Sequence, residues 1–142
     1  VSRLGHKMKA VSINQIINQD LEEEILKLCK NCDIVAFDEA QFFSERIVNI
    51  VFEIASRGSH VIVAGLDLDF RAKPFGHMGE LMAIADEVIK NTAFCPCCGR
   101  PARFTQRLID GFPAKEGPIE FIGDTESYEP RCRNCYVPPY KA

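Results

Sequence analysis

The chain has 142 residues, 46% of them apolar, and a formal charge of −3. That length suits one domain, or one domain with a small lobe, and lets roughly two-thirds of the unfolded surface be buried. Disorder is excluded as the default state, and the slight negative charge gives no electrostatic ground for nucleic acid or an anionic membrane as partner. No stretch approaches the about 20 apolar residues of a membrane span, and the first residues lack a signal-peptide core.

The chain opens on Val1-Ser2-Arg3, without a methionine and in mid-pattern, so a piece of a longer protein is expected. Ile13, Ile16, Ile17, Leu21, Ile25 and Leu28 recur at spacings of mostly three and four, which predicts a helix over Ile13 to Cys29 with a candidate break near Asp20. Ile34-Val35-Ala36-Phe37 is an unbroken apolar run, as in a strand buried on both faces of a parallel sheet. Ile47, Val48, Val51, Ile54 and Ala55 mark a second helix, stopped at Gly58. Val61-Ile62-Val63-Ala64 is a second strand, closed by Gly65. Strand, helix and strand in this order make a βαβ unit with a parallel sheet. A third helix is expected over Leu81 to Val88. Beyond Ala93, proline, glycine and cysteine become frequent, with short strands expected at Arg103–Leu108 and Ile119–Ile122. The lobe boundary falls near residue 92, giving segments 1–92 and 93–142.

The first strand ends in Asp38-Glu39. In open α/β sheets ligands bind at the carboxyl ends of strands, and adjacent side chains on extended backbone point apart. The two acids can therefore divide the work of phosphoryl transfer, one holding Mg²⁺ and the other orienting the attacking hydroxyl. Four residues and two acids also fit a plain strand end in which one acid caps the next helix.

Seven cysteines are many for this length, and an odd number cannot all pair in disulfides. Cys95 and Cys98 form one C-x-x-C and Cys132 and Cys135 another, with 33 residues between the pairs. Two such knuckles match the tetrahedral thiolate geometry of a closed, structural Zn²⁺ site, and point to a reducing, cytoplasmic setting. Cys97 could replace Cys98, but only the 95/98 spacing matches the other pair. Cys29 and Cys32 also form a C-x-x-C; with no second pair beside them they are read as non-ligands. His6, His60 and His77 carry no motif and are read as surface or strand-end residues.

Asp38-Glu39-Ala40-Gln41-Phe42-Phe43 resembles the D-E-x-Q-F-F signature of the type II (cytosolic, zinc-containing) thymidine kinases. Gly65-Leu66-Asp67-Leu68-Asp69-Phe70-Arg71 with Pro74-Phe75-Gly76 resembles their second signature. Thr105-Gln106-Arg107-Leu108 and Ser127-Tyr128-Glu129-Pro130-Arg131-Cys132-Arg133 are similar to later strings in the same order. Arg3 stands where the family usually has His, and Ala72 where it often has Gly. The family's G-x-x-x-x-G-K-[ST] phosphate loop, which cradles ATP, has no counterpart in these 142 residues.

The resemblance implies a P-loop NTPase-like α/β core with a small C-terminal zinc lobe. It implies ATP-dependent phosphorylation of thymidine, and of deoxyuridine, at the 5′-hydroxyl. Glu39 would be the general base, Asp38 a Mg²⁺ ligand, and Gln41 would sit near the metal and phosphates of Mg-ATP. Glu39 suits this role if partial burial brings its pKa toward neutrality. Phe42, Leu66, Phe70 and Phe75 would wall the thymine pocket, with ordinary core as the competing reading of each. Ile119, Glu120, Phe121, Ile122 and Gly123 through Tyr128 would form the lasso loop that closes over the nucleoside and reads the base with main-chain atoms. A homotetramer inhibited by thymidine triphosphate is also implied. Arg71 and Arg107 fit either phosphate contacts or ordinary ion pairs. Two other functions compete: a zinc-ribbon module binding nucleic acid or protein, which needs a basic, aromatic face around the metal, and an inactive fragment without the phosphate loop.

Overall fold

A computed structural model describes residues 9–114 and 126–139. The expected strand Ile119–Ile122 and His6 lie outside the described residues. Helix α1 spans Gln19–Leu28. It begins six residues later than the periodicity predicts, because asparagines intervene. The Asn14 carboxamide accepts the Ile16 N–H at 2.9 Å, and that of Asn18 accepts the Leu21 N–H at 2.9 Å as an N-cap. Both bonds favour turn over helix in this stretch. Ser44 holds the segment from the other side, its hydroxyl accepting the Ile17 N–H at 3.1 Å and its N–H donating to the Gln15 carbonyl at 2.9 Å. Ile17 is thereby buried while Ile16 is left exposed.

Strand β1 (Ile34–Phe37), helix α2 (Arg46–Ser56) and strand β2 (His60–Val63) form the βαβ unit. β1 and β2 pair in parallel, Ile34 opposite His60 and Phe37 opposite Val63. In α2, Ile47, Ile50, Val51 and Ile54 fall on one face and are buried, the spacing of a helix laid against a core. They join Ile25 of α1, Phe37 of β1, and Met78 and Leu81 of the next helix, and Val35, Val61 and Val63 pack against this cluster. The other face of the strand pair is open, with Ile34 63% and Ile62 49% exposed. The expectation of burial on both faces therefore fails for the described residues. Side chains alternate across a strand, and α1 and α2 cover one face of this pair.

Helix α3 runs Met78–Ile84, three to four residues ahead of the expected span. Burial of Met78 and Leu81 fixes its position, whereas Val88, where the expected span ends, is exposed. Lys90 instead ties this stretch to Asp67, Nζ to Oδ2 at 2.8 Å. Among the described residues, no helix is long and apolar enough to cross a membrane.

From Ala93 the chain forms small antiparallel sheets. β3 (Ala93–Phe94) pairs with β4 (Pro101–Ala102). β5 (Phe104–Ile109) lies between β6 (Phe112–Pro113) and β7 (Glu126–Arg131). β5 begins one residue after the expected Arg103. Asp110 and Gly111, both at positive φ, turn β5 into β6, as a two-residue hairpin requires.

Between β2 and α3, residues Asp67 to Phe75 form a closed turn. The Phe75 N–H donates to the Asp67 carbonyl at 3.1 Å and the Asp69 N–H to that of Lys73 at 2.9 Å. The buried Asp69 carboxylate accepts the backbone N–H groups of Arg71 and Lys73 and the Arg71 guanidinium. Ala72 sits in this turn at φ 59°. A left-handed alanine costs about 1–2 kcal/mol. Ala72→Gly should therefore raise stability by about 1 kcal/mol after allowing for the greater freedom of glycine when unfolded. Urea unfolding checks this, and a lower midpoint would contradict it.

Candidate functional site

The ladder between β1 and β2 continues past both strands. The Ala64 N–H donates to the Phe37 carbonyl at 2.8 Å, and the Ala40 N–H to that of Ala64 at 3.0 Å. Asp38 and Glu39 are held between these two bonds, at the carboxyl end of the parallel pair. Both are exposed, so the partial burial expected of Glu39 is not found. The Asp38 carboxylate accepts the Glu39 N–H at 3.0 Å through Oδ1. Glu39 itself has φ 54° and ψ 39°, the left-handed region. Such a conformation in a residue other than glycine costs of order 1–3 kcal/mol and collects at functional sites. Here it breaks the strand and turns the chain into a short 3₁₀ helix over Ala40–Phe42.

Gln41 is the hub of this corner. It is 3% exposed. Its amide Nε2 donates to Glu39 Oε2 at 2.5 Å, and its Oε1 accepts the Leu66 N–H at 3.1 Å. The surroundings leave it little room: a Cβ on Gly65 would stand 2.5 Å from Gln41 Oε1, and one on Gly76 would stand 2.1 Å from the Gln41 carbonyl oxygen. The glycine at 76 also takes a positive φ of 50°. The Gln41 side chain, expected near metal and phosphates, ties Glu39 to the β2 exit. Phe42 and Phe75 meet edge to face, centroids 5.4 Å apart. Asp38, Glu39, Gln41, Phe42, Leu66 and Phe75 thus gather at one strand end, with Leu66 49% exposed.

Phe70 lies elsewhere on the same turn. It is 3% exposed, and the guanidinium carbons of Arg107 and Arg71 stand 5.1 and 5.7 Å from its ring centre. Arg107, in β5, is 1% exposed. Arg71 is engaged by Asp69, Nη2 to Oδ2 at 2.8 Å. Tyr128 is 44% exposed on β7, opposite Arg107. Ile119, Glu120, Phe121, Ile122 and Gly123 lie outside the described residues.

The four cysteines of the two C-x-x-C pairs converge. The sulfurs of Cys95, Cys98, Cys132 and Cys135 all lie within 4.8 Å of one another, with Cys98 Sγ 3.5 Å from Cys132 Sγ and 3.6 Å from Cys135 Sγ. Bonds of about 2.3 Å to a tetrahedral Zn²⁺ place sulfurs about 3.8 Å apart, so the four fit that ion. The two loops share one geometry. The Cys98 N–H donates to the Cys95 carbonyl and the Gly99 N–H to the same oxygen; the Cys135 and Tyr136 N–H groups do likewise to the Cys132 carbonyl.

The thiols respond to this crowding. The backbone N–H of Cys132 and others beside it pull Cys95 down to about 6. Cys132 is lowered as well, burial opposing the N–H of Cys135 and the Cys98 thiol. Hydrogen bonds to Cys98 and Cys132 push Cys135 up to about 12. Such a split is what close anions produce when one proton must be retained, and a dication removes the need for it. Cys97 is exposed, lies 2.6 Å from Arg131 Nη1 and is not one of the four. Cys29 and Cys32 join no described group of metal-binding side chains.

Tyr136 carries no motif signal of its own, and its reach from the second knuckle to Phe70 is a long-range contact invisible to local pattern. Asp69 lies inside the second signature string, but nothing in that string tells that its carboxylate is buried and organises the turn.

A mixed α/β chain with small sheets, an acid pair at a parallel strand end and four cysteines close enough to hold one metal ion defines a class of α/β protein with a candidate metal site. Within that class a family model for thymidine kinase matches residues 1–136. The chain belongs to the thymidine kinase family.

Proposed function

We propose that the protein phosphorylates thymidine, and deoxyuridine, at the 5′-hydroxyl with ATP as donor, as a step of nucleoside salvage in the cytoplasm. The observation that carries this reading is the strained acid corner, Glu39 left-handed and tied to Gln41, in a chain of this family. Glu39 accepts the proton of the 5′-hydroxyl as the hydroxyl oxygen attacks the γ-phosphorus of ATP and the bond to the β–γ bridging oxygen breaks, releasing ADP, and the brace from Gln41 fixes the carboxylate for that transfer. Asp38 is exposed, and its described hydrogen bond uses Oδ1, so it suits a Mg²⁺ ligand. Bound Mg²⁺ supplies neutralisation of charge on the transferred group. Gln41 lies beside the space for metal and phosphates.

Phe42, Leu66, Phe70 and Phe75 form apolar walls for the base, with Tyr128 and residues Ile119, Glu120, Phe121, Ile122 and Gly123 as the closing loop. The division into a P-loop NTPase-like core over 1–92 and a zinc lobe over 93–142 belongs to the same proposal, as do the homotetramer and inhibition by thymidine triphosphate. Against a nucleic-acid-binding module, Arg131 is paired with Glu129 and the chain carries a formal charge of −3, which favours no polyanion.

A nucleoside panel on the natural full-length protein tests the reading. Thymidine and deoxyuridine should turn over, and deoxycytidine should be rejected by at least a few hundredfold, because its reversed donor and acceptor edge leaves buried groups unpaired. Equal turnover of deoxycytidine would sink it.

A further inference from the structure

We propose that Tyr136 is a positioning residue of the nucleoside site, linking the zinc knuckle to the turn that carries Phe70. The proposal rests on the reading of Phe70 as a pocket wall. The Tyr136 hydroxyl donates to the Phe70 carbonyl at 2.6 Å, across a separation of 66 residues. The hydroxyl is held in that place from several sides. Its ring stacks on Phe104 of β5, centroids 4.8 Å apart and planes 18° from parallel. Its N–H donates to the carbonyl of the ligand Cys132 at 2.9 Å. The next residue, Val137, is clasped by the buried Gln106 side chain, which accepts the Val137 N–H at 2.9 Å and donates to its carbonyl at 3.3 Å.

Tyr136 directly follows Cys135, so a knuckle closed on metal fixes the start of the side chain, and Phe104 fixes its direction. At the far end, Phe70 is buried under the Arg107 guanidinium. The backbone of residue 70 therefore takes its position from β5 and from the knuckle together. The zinc site, remote from the acid corner in sequence, sets one wall of the nucleoside pocket through this hydroxyl. Its effect falls on nucleoside affinity, since the described side-chain hydrogen bonds of Glu39 and Gln41 run to each other and to Leu66.

Tyr136→Phe keeps the stacked ring and removes the donor. In the natural full-length protein, loaded with zinc, thymidine KM and Kd should rise about three- to tenfold, the range one net hydrogen bond covers. The kcat and the KM for ATP should stay within about twofold, a split that general loosening of the fold would not give. Backbone amides of residues 66–76 should exchange faster in the variant, and also in the wild type once zinc is chelated. Unchanged thymidine affinity with unchanged exchange, at full zinc content, overturns the tether and leaves the kinase reading standing. Faster exchange with unchanged thymidine affinity also overturns the proposal, and places the fault in the assignment of Phe70 to the pocket.

Discussion

Glu39→Gln should lower kcat for thymidine phosphorylation about 10²- to 10⁴-fold, the range general-base catalysis spans. The substitution is isosteric. Gln41 Nε2 can still donate to the side-chain oxygen that replaces Oε2, so the corner keeps its brace. What disappears is the capacity to take a proton from the 5′-hydroxyl. The KM for thymidine should change little, because the lost interaction belongs to the transition state. The left-handed backbone of Glu39 argues in the same direction. A residue that pays about 1–3 kcal/mol in backbone strain at a strand end is held there by its surroundings, and an amide at that position keeps the strain without the chemistry. Steady-state kinetics, with circular dichroism to verify the fold, decide the matter. Activity within fivefold of wild type would remove Glu39 from the reaction.

Removing zinc should have an equally large effect, through folding. Structural zinc sites contribute about 10–16 kcal/mol of apparent binding energy in small peptides, more than many domains hold in total, at about 5–15 kcal/mol. Cys95 and Cys132 are the buried members of a small cluster with Ala102, too few apolar groups to order the segment between the knuckles alone. Chelation, or Cys132→Ser, should therefore expose residues 99–114 and 126–131 to proteolysis and abolish thymidine binding. Acid should act in the same direction. A free thiol titrates near 9.0 and Cys95 is held at about 6. The folded lobe thus binds this proton less readily than the unfolded chain, and its contribution is lost as pH falls from 9 through 6. Cys135, pushed up to about 12, gives up its proton to metal and recovers it when metal leaves. Each ligand thiolate must take up a proton as the metal leaves, so zinc release monitored against pH should rise as pH falls. Full thymidine affinity in chelated, still-folded protein would contradict the structural role.

Much of the frame was legible in residue order because local patterns and burial agree there. The run Ile34 to Phe37 is β1 to the residue, and α2 lies where Ile47, Val51 and Ile54 placed it. The four cysteines converge as their spacing implied. Elsewhere distant groups decide. Ser44 and two asparagines hold residues 13–18 out of the helix that their isoleucines suggest. The start of α3 follows burial of Met78, not the apolar Val88. Alternation in β1 and β2 is hidden because Ile34 and Ile62, on the open face, are as apolar as Val35 and Val63 beneath them. At the site, the acids announce themselves in Asp38-Glu39, while the brace through Gln41 and the reach of Tyr136 to Phe70 depend on contacts that span 25 and 66 positions.

The central claim is phosphoryl transfer to a nucleoside hydroxyl, and identification of the product tests it most directly. Natural full-length protein, loaded with zinc, is incubated with Mg-ATP labelled at the γ-phosphate and with thymidine, and the label is followed by phosphorus NMR or chromatography. Label appearing in thymidine 5′-monophosphate, and absent when 5′-deoxythymidine replaces thymidine, is the expected result. Label remaining in ATP, or released as inorganic phosphate at a rate independent of thymidine, would contradict the account.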